Sequence, residues 1–351
     1  MSIIIFLFIL GLMVVVHEWG HFFAARRIGV KVEKFSFGFG PQVLHRKNKD
    51  TEYSINAIPL GGYVKLAGDN LEEYKGKSFE YLSKAPGKRF WVIFCGPLLN
   101  YILGILILWV IFFCGYPTLT TVVGSVIDGF GAKEAGLMSG DKILAVDGVR
   151  VQYWEELQKI IQGKHEQAVA RISFLRDNRP LERDVRIKMR ESEDSVGEKR
   201  SVGLLGIAPS DKIVRVRHGF WRSFSLGLNK ALEITLITYK ALWRMLSGKL
   251  SMRDSVTGPL GIYFITSKAA QIGLTALLHL IAILSISLGI FNLLPLPILD
   301  GGHIVLLAIE KIRGKYLSLK TEQIITRIGM TIIISLALLV TYNDISHLFR
   351  K

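Results

Sequence analysis

The chain has 351 residues, 50% of them hydrophobic, with a formal net charge of +15. So apolar a composition excludes an ordinary soluble protein and fits a multi-span membrane protein with room for one extra soluble domain. No basic-aromatic nucleic-acid module accompanies the positive charge, and basic residues flanking spans hold orientation and meet anionic lipid, so the bilayer, not nucleic acid, is the expected partner.

A first transmembrane helix is expected over residues 1–25, its apolar run from Ile3 to Ala25 closed by Arg26 and Arg27. The run lacks a basic leading region and ends in His17-Glu18 rather than small residues, so it reads as a retained span, not a cleaved signal peptide. Within it stands His17-Glu18-Trp19-Gly20-His21. Residues i and i+4 share a helix face, so both imidazoles can reach one Zn²⁺, with Glu18 placed to take a proton from the attacking water. Ionisable groups in an apolar span cost about 3 kcal/mol each by insertion scales and are rarely found there without a partner or a task. The alternative is a span ending at Val16, with the three residues solvated among headgroups.

Residues 26–89 form a polar segment with 13 Lys/Arg, which places it in the cytoplasm and the N-terminus outside. Residues 42–45 and 52–55 flank the polar turn Arg46-Lys47-Asn48-Lys49-Asp50-Thr51, a pattern suited to a hairpin. Around it, Phe37-Gly38-Phe39-Gly40-Pro41 and Ile58-Pro59-Leu60-Gly61-Gly62-Tyr63-Val64 mix glycine and proline with aromatics. That composition fits a β-loop dipping into the membrane beside protein, with Gly61 and Gly62 as candidate substrate-binding positions. A plain surface hairpin is the alternative.

The second transmembrane helix is expected over 90–116, carrying Gly96-Pro97-Leu98-Leu99-Asn100. Cys95 and Cys114 lie in it about 28 Å apart, too far to bridge, and no disulfide framework or Cys-based metal site exists. Residues 117–190 turn polar, with short strands, an amphipathic helix over 153–162, and a hairpin around Asp177-Asn178-Arg179-Pro180. The run Ala135-Gly136-Leu137, Gly140-Asp141 and Val146-Asp147-Gly148 resembles the PDZ domains attached to bacterial proteases. Residues 191–271 read as a linker, centred on 190–201, followed by an amphipathic helix over 220–250. Its Arg222, Lys230, Glu233, Lys240 and Arg244 fall within about 80° at helical pitch, which argues for a helix lying in the interface. The third transmembrane helix is expected within 272–303, and a cytoplasmic loop and fourth span within 304–351, with the fourth apolar run from Ile324 to Tyr342. No internal repeat is present.

The expected fold is thus a polytopic α-helical membrane protein of about four spans, with a membrane-associated β-hairpin and one inserted extracytoplasmic PDZ-like α+β domain. Followed through the bilayer, the first two spans and the end of the third, Asn292-Leu293-Leu294-Pro295-Leu296-Pro297-Ile298-Leu299-Asp300-Gly301-Gly302-His303, bring three polar constellations to one depth near the cytoplasmic surface. A hydrolytic zinc takes three protein ligands, so the histidines need a third, and Asp300 is chosen because Pro295 and Pro297 break the helix before it. His303 is the competing ligand, and Asp300 as a simple N-cap the competing role.

Together, His17-Glu18-x-x-His21, Gly96-Pro97-x-x-Asn100, Asn292-x-x-Pro295-x-x-x-x-Asp300-Gly301 and the inserted PDZ-like segment resemble the site-2 protease family, in particular the bacterial regulator-of-sigma-E protease group. The resemblance covers nearly the whole chain, including residues 59–64 and 258–262. It implies zinc bound by His17, His21 and Asp300, Glu18 as the catalytic acid/base, and Asn292 holding the substrate backbone, with Asn100, Pro295, Gly61 and Gly62 as further substrate-binding candidates. It also implies a location in the bacterial cytoplasmic membrane and single-span substrates, such as anti-sigma factors first trimmed by a site-1-type protease, and remnant signal peptides. One departure is that enterobacterial members carry two tandem PDZ domains, whereas one convincing copy is found here. Rival readings are a non-proteolytic zinc-bearing receptor whose PDZ domain binds extracytoplasmic tails, and an ion or proton transporter. The absence of a paired broken-helix repeat argues against the transporter.

Overall fold

Helix α1 (Ser2–Arg27) leads into two long strands, β1 (Val32–Asn48) and β2 (Thr51–Leu66), and then into α2 (Pro86–Cys114). A computed structural model describes residues 2–165, 168–194, 197–251 and 255–349, with the side chains of 59, 60, 319, 322 and 347–349 left aside. It divides into two compact units. One comprises residues 1–111, 221–239 and 251–351; the other comprises 112–220 and 240–250.

Among the described residues, four helices are long and apolar enough to cross a membrane by length and composition: α1, α2, and the segments Leu274–Asn292 and Gln323–Ser346. Glycines let the first two cross with their backbones in contact. A β-carbon on Gly20 would land on the Cys95 carbonyl and the Gly96 nitrogen. The expected hairpin forms, with Asn48 opposite Thr51 and Lys49 in the left-handed region at φ 54°. Both strands also bend back. Residues 32–37 pair with 62–66 on one side and with 52–55 on the other, so two strands make a four-segment sheet.

The second unit takes in the last residues of α2, which Gly115, at φ 98°, ends. It contains β3 (Tyr116–Leu119), β4 (Val123–Val126), α3 (Gly131–Glu134), β5 (Lys142–Val146), β6 (Val149–Arg150), α4 (Trp154–Gln162), β7 (Val169–Arg176) and β8 (Arg179–Arg186). The central antiparallel sheet runs β6-β5-β7-β8. Its buried face carries Ile143, Val146, Ile172, Phe174 and Val185 against Leu157 and Ile161 of α4. This is the inserted PDZ-like domain. The linker expected at 190–201 is not one: β9 (Lys188–Glu193) pairs with β10 (Lys199–Leu204) as a hairpin. Residues 195 and 196, within that expected linker, lie outside the described residues. Charge suggested a solvated tether, but alternating exposed charges also suit a hairpin with one open face. Strand β11 (Ile207–Pro209) then closes on β4, and β12 (Ile213–Val216) on β3.

The amphipathic helix exists as α5 (Phe220–Leu246), but it is not a free interfacial helix. Gly227 lies against the Trp109 backbone and the Thr235 hydroxyl is 2.8 Å from the Tyr101 hydroxyl, so this stretch runs antiparallel along α2. Buried Ser223, Gly227 and Ala231, spaced four apart, make the close approach possible. The charge pattern concealed this small-residue face. Beyond come α6 (Pro259–Ile272), α7 (Leu274–Asn292), α8 (Asp300–Arg313) and α9 (Leu319–Phe349). Asp344 of α9 accepts the Gly258 and Gly261 backbone N–H groups, each at 3.0 Å, and caps α6. The third span therefore stops at Asn292, and Asp300 opens a separate helix.

Candidate metal centre

His17 and His21 project from one face of α1, and α2 supplies what orients them. His21 Nδ1 lies 2.9 Å from the Val92 carbonyl, which can only accept, so Nδ1 carries the proton and Nε2 keeps its lone pair. Gly96, one turn further along α2, leaves the space that the His21 ring fills. His17 Nδ1 faces the side-chain amide of Asn100 at 3.5 Å. Asn100 is wholly buried, and its amide oxygen has no hydrogen-bond partner among the described residues. Turning that amide about its last torsion puts the oxygen where it accepts the His17 Nδ1 proton, which leaves His17 Nε2 free in the same way.

Asp300 comes from the other end of the chain. Loop 293–299, with Pro295 and Pro297, folds back on the first turn of α8, so that Gly301 abuts the Leu293 and Leu294 carbonyls and Gly302 the Leu296 carbonyl. Any side chain at either glycine would push that turn away. The result sets Asp300 Oδ2 at 3.1 Å from His17 Nε2, Asp300 Oδ1 at 3.5 Å from His21 Nε2, and the two Nε2 atoms 3.1 Å apart. Lone pairs thus face lone pairs, which is the arrangement a shared cation holds together. Donors about 2.0–2.2 Å from a tetrahedral zinc stand about 3.3–3.6 Å apart, so the set fits that ion. Among the described residues this is the one His/Cys/Asp/Glu group whose ligand atoms all lie within 4.8 Å of one another. His303 is not in it.

Glu18 is half-buried beside the group, with His21 and Asp300 as its neighbours and the Val64 backbone N–H donating to its carboxylate. Strand β2 passes close enough that a β-carbon on Gly62 would stand 3.3 Å from Glu18 Cγ. A cavity of about 470 Å³ opens from Glu18, His21 and Asp300 past His303 to Asp69, Tyr81 and Arg89.

The model of peptidase family M50 matches residues 5–336. The chain belongs to that family. A Campylobacter jejuni relative is 34% identical over 348 residues, covering 98% of this chain and 93% of its own. The regulator of sigma E protease of Haemophilus influenzae is 29% identical over 437 residues, covering 98% of each. The PDZ domain of an SdrC-like protein from Listeria monocytogenes is 23% identical in its crystal structure, covering 26% of this chain and 86% of that one, with a TM-score of 0.21. This M50 chain is a zinc metalloprotease and a multi-pass membrane protein.

The substrate-binding candidates are placed differently from the ligands. Asn100 is wholly buried, does not line the cavity and faces His17. Asn292 is the half-exposed last residue of α7, Pro295 is exposed in the following loop, and neither lines the cavity. Gly61 adopts φ 105° against the Phe39 ring, and Gly62 packs on Val14 and Glu18. Sequence reasoning missed Arg89, Glu310, Tyr81 and Asp69 at the cavity's far end. There burial holds both the Tyr81 hydroxyl and the Asp69 carboxyl above their usual ranges, the latter despite the Leu66 N–H donating to it. Arg89 looked like one more basic residue flanking a span.

Proposed function

We propose that this metalloprotease cleaves peptide bonds within the membrane-spanning segments of single-span proteins, with His17, His21 and Asp300 as zinc ligands and Glu18 as the acid/base. The observation that carries the reading is the convergence of three ligand atoms at tetrahedral spacing, two from a helix apolar enough to span a bilayer and one from the start of α8. When bound, zinc polarises the scissile carbonyl and lowers the pKa of the attacking water toward 7.

The residues divide the remaining work. Val92 and Asn100 hold both imidazoles with Nε2 presented. Glu18, kept in place by the Val64 N–H, takes the proton of the attacking water as the C–O bond forms, and delivers it to the amine nitrogen as the C–N bond breaks. A spanning helix hides its carbonyls in its own hydrogen bonds, so the substrate must first unwind. The stretch of β2 beside Glu18 offers its free edge for the opened strand, and Asn292, Pro295 and the backbone at Gly61–Gly62 are assigned to that strand. Exposed Val43, Leu44, Ile55 and Ile58 suit the hairpin's far end to lipid.

The substrates assigned are pre-trimmed anti-sigma factors and remnant signal peptides in the bacterial cytoplasmic membrane, downstream of a site-1-type protease. One observation favours a peptide-tail role for the inserted domain in addition. A cavity of about 200 Å³ between α4 and residues 203–207 is lined by Phe130, Leu157, Ile161 and Leu205, with Arg190 at its side. The proposal is tested by Glu18→Gln: purified in detergent, the variant keeps zinc and loses cleavage of a model single-span substrate. Undiminished turnover removes Glu18 from the role.

A further inference from the structure

Arg89 lies three residues before Val92 on α2 and is 3% exposed, although it opens a helix that reads as a membrane span. Its two terminal nitrogens engage both carboxylate oxygens of Glu310 on α8, one of them at 2.9 Å, and its Nε donates to the Lys84 carbonyl at 3.0 Å. The guanidinium stands 5.9 Å from the Tyr81 ring centroid and 5.4 Å from that of Tyr316, and the Tyr316 hydroxyl donates to the Leu82 carbonyl. The paired carboxylate, the Nε hydrogen bond and the two rings together fix the orientation of the guanidinium.

Consider what the two helices carry at their other ends. On α2, the buried positions Arg89, Val92, Gly96 and Asn100 form one face. Val92 and Gly96 set His21, and Asn100 sets His17. On α8, Glu310 lies ten residues from Asp300, about 15 Å along the axis. From Arg89 to Asn100 is a similar length on α2. The two helices are thus antiparallel rails joined at one end by Arg89 and Glu310, and at the other by the two histidines and Asp300. Between the rails lies the 470 Å³ cavity, walled by Val92 and Ile93 on one side and by Leu306 and Leu307 on the other. With this cavity lined by both helices, the ion pair is the contact that sets their spacing at its far end. Polar recognition sites need their first ligands held to within about 0.5 Å.

We infer that the Arg89–Glu310 pair is a strut that positions Asp300 against the two histidines, so that zinc affinity depends on a contact about 15 Å from the metal. Arg89 and Glu310 are positioning residues and touch neither substrate nor metal. The inference rests on Asp300 being a ligand.

The test measures zinc affinity of the purified full-length chain in detergent by competition with a chromophoric chelator, together with the visible spectrum after loading with Co²⁺. Arg89→Met with Glu310→Met removes both charges without stranding one. This pair of changes weakens zinc about 10–100-fold, the range seen when ligand-supporting groups are removed. It also shifts the Co²⁺ bands, and its lost turnover returns in excess zinc. If the double variant does not fold, Glu310→Asp, which draws the carboxylate back by one methylene, decides in its place, with the same expected direction. The exchanged pair Arg89→Glu with Glu310→Arg recovers part of the loss. Zinc affinity within threefold of the unaltered chain and an unchanged Co²⁺ spectrum in the deciding variant overturn the strut. Asp300→Ala, run alongside, separates the two claims: if it leaves zinc affinity intact, the ligand assignment fails, and if it alone weakens zinc, only the strut fails.

Discussion

His21 donates its Nδ1 proton to the backbone carbonyl of Val92 across 2.9 Å, and in doing so rests its ring in the place a β-carbon on Gly96 would take. A backbone acceptor cannot be mutated away, so the ring's orientation is tested through the glycine. Gly96→Ala has no room for its methyl group without rotating the imidazole, whose Nε2 would stand 2.4 Å from it. Zinc content per chain after dialysis against a weak chelator should fall by at least tenfold in this variant, with the helix content by circular dichroism preserved.

Asn100 makes a sharper distinction. Its backbone carbonyl accepts the Ser285 hydroxyl at 2.8 Å, so α7 holds its place, while its side chain meets His17. A residue that held substrate would, on truncation, raise KM and leave the metal alone. Asn100→Ala is expected to weaken zinc about tenfold and to leave KM, measured at saturating zinc, unchanged. A raised KM with intact zinc affinity would return Asn100 to the substrate.

These two residues show how far the chain could be read before its structure. The three residues of the candidate metal centre were legible as a group because a four-residue helical spacing and a pair of prolines are local signals. The hairpin at 46–51 was legible for the same reason. What escaped depends on residues that meet only in three dimensions. Nothing local marks Val92 as a hydrogen-bond acceptor or tells a wholly buried Asn100 from a substrate-facing one. Arg89 and Glu310 each look like ordinary charges beside apolar runs. Helix α5 misled because five charges on one face outweighed the spacing of Ser223, Gly227 and Ala231, which is the signal for a neighbour's backbone. The alternating charges around 190–201 were read as solvation where they mark an exposed hairpin.

Asp147 gives the inserted domain a defined acid dependence. It stands at φ 48° in the turn between β5 and β6, where its carboxylate accepts Lys164 Nζ at 2.5 Å and the Arg171 N–H at 2.8 Å. The Lys164 hydrogen bond, then the Arg171 N–H, hold its pKa below the usual carboxylate value. A folded-state pKa depressed in this way contributes stability that is present above the unfolded value near 3.9 and is lost as pH falls through the folded one. Asparagine tolerates the same backbone region, so Asp147→Asn isolates the charge. With about a third of the side chain exposed, the effect is about 0.5–1 kcal/mol. Hydrogen exchange of β5 and β7 in the intact chain should be faster in Asp147→Asn at pH 7, and the difference from the parent, corrected for intrinsic rates, should shrink as the pH falls below the unfolded value near 3.9.

The approach of α5 to α2 can be opened without touching His17, His21 or Asp300. At Gly227 an added β-carbon stands 3.0 Å from the Trp109 nitrogen, and the contact is backbone, which cannot swing aside. Gly227→Leu must lift this part of α5 from α2 and break the Tyr101–Thr235 hydroxyl pair two turns away. Forcing methylenes into a packed contact costs about 1–3 kcal/mol. The variant should therefore melt several degrees lower in detergent, while its zinc affinity stays that of the parent, because Asn100 and Gly96 are held from the opposite face by α1 and α7. A fall in zinc affinity comparable to that of Gly96→Ala would mean that α5, not only α1 and α7, sets the face of α2 on which the histidines rest.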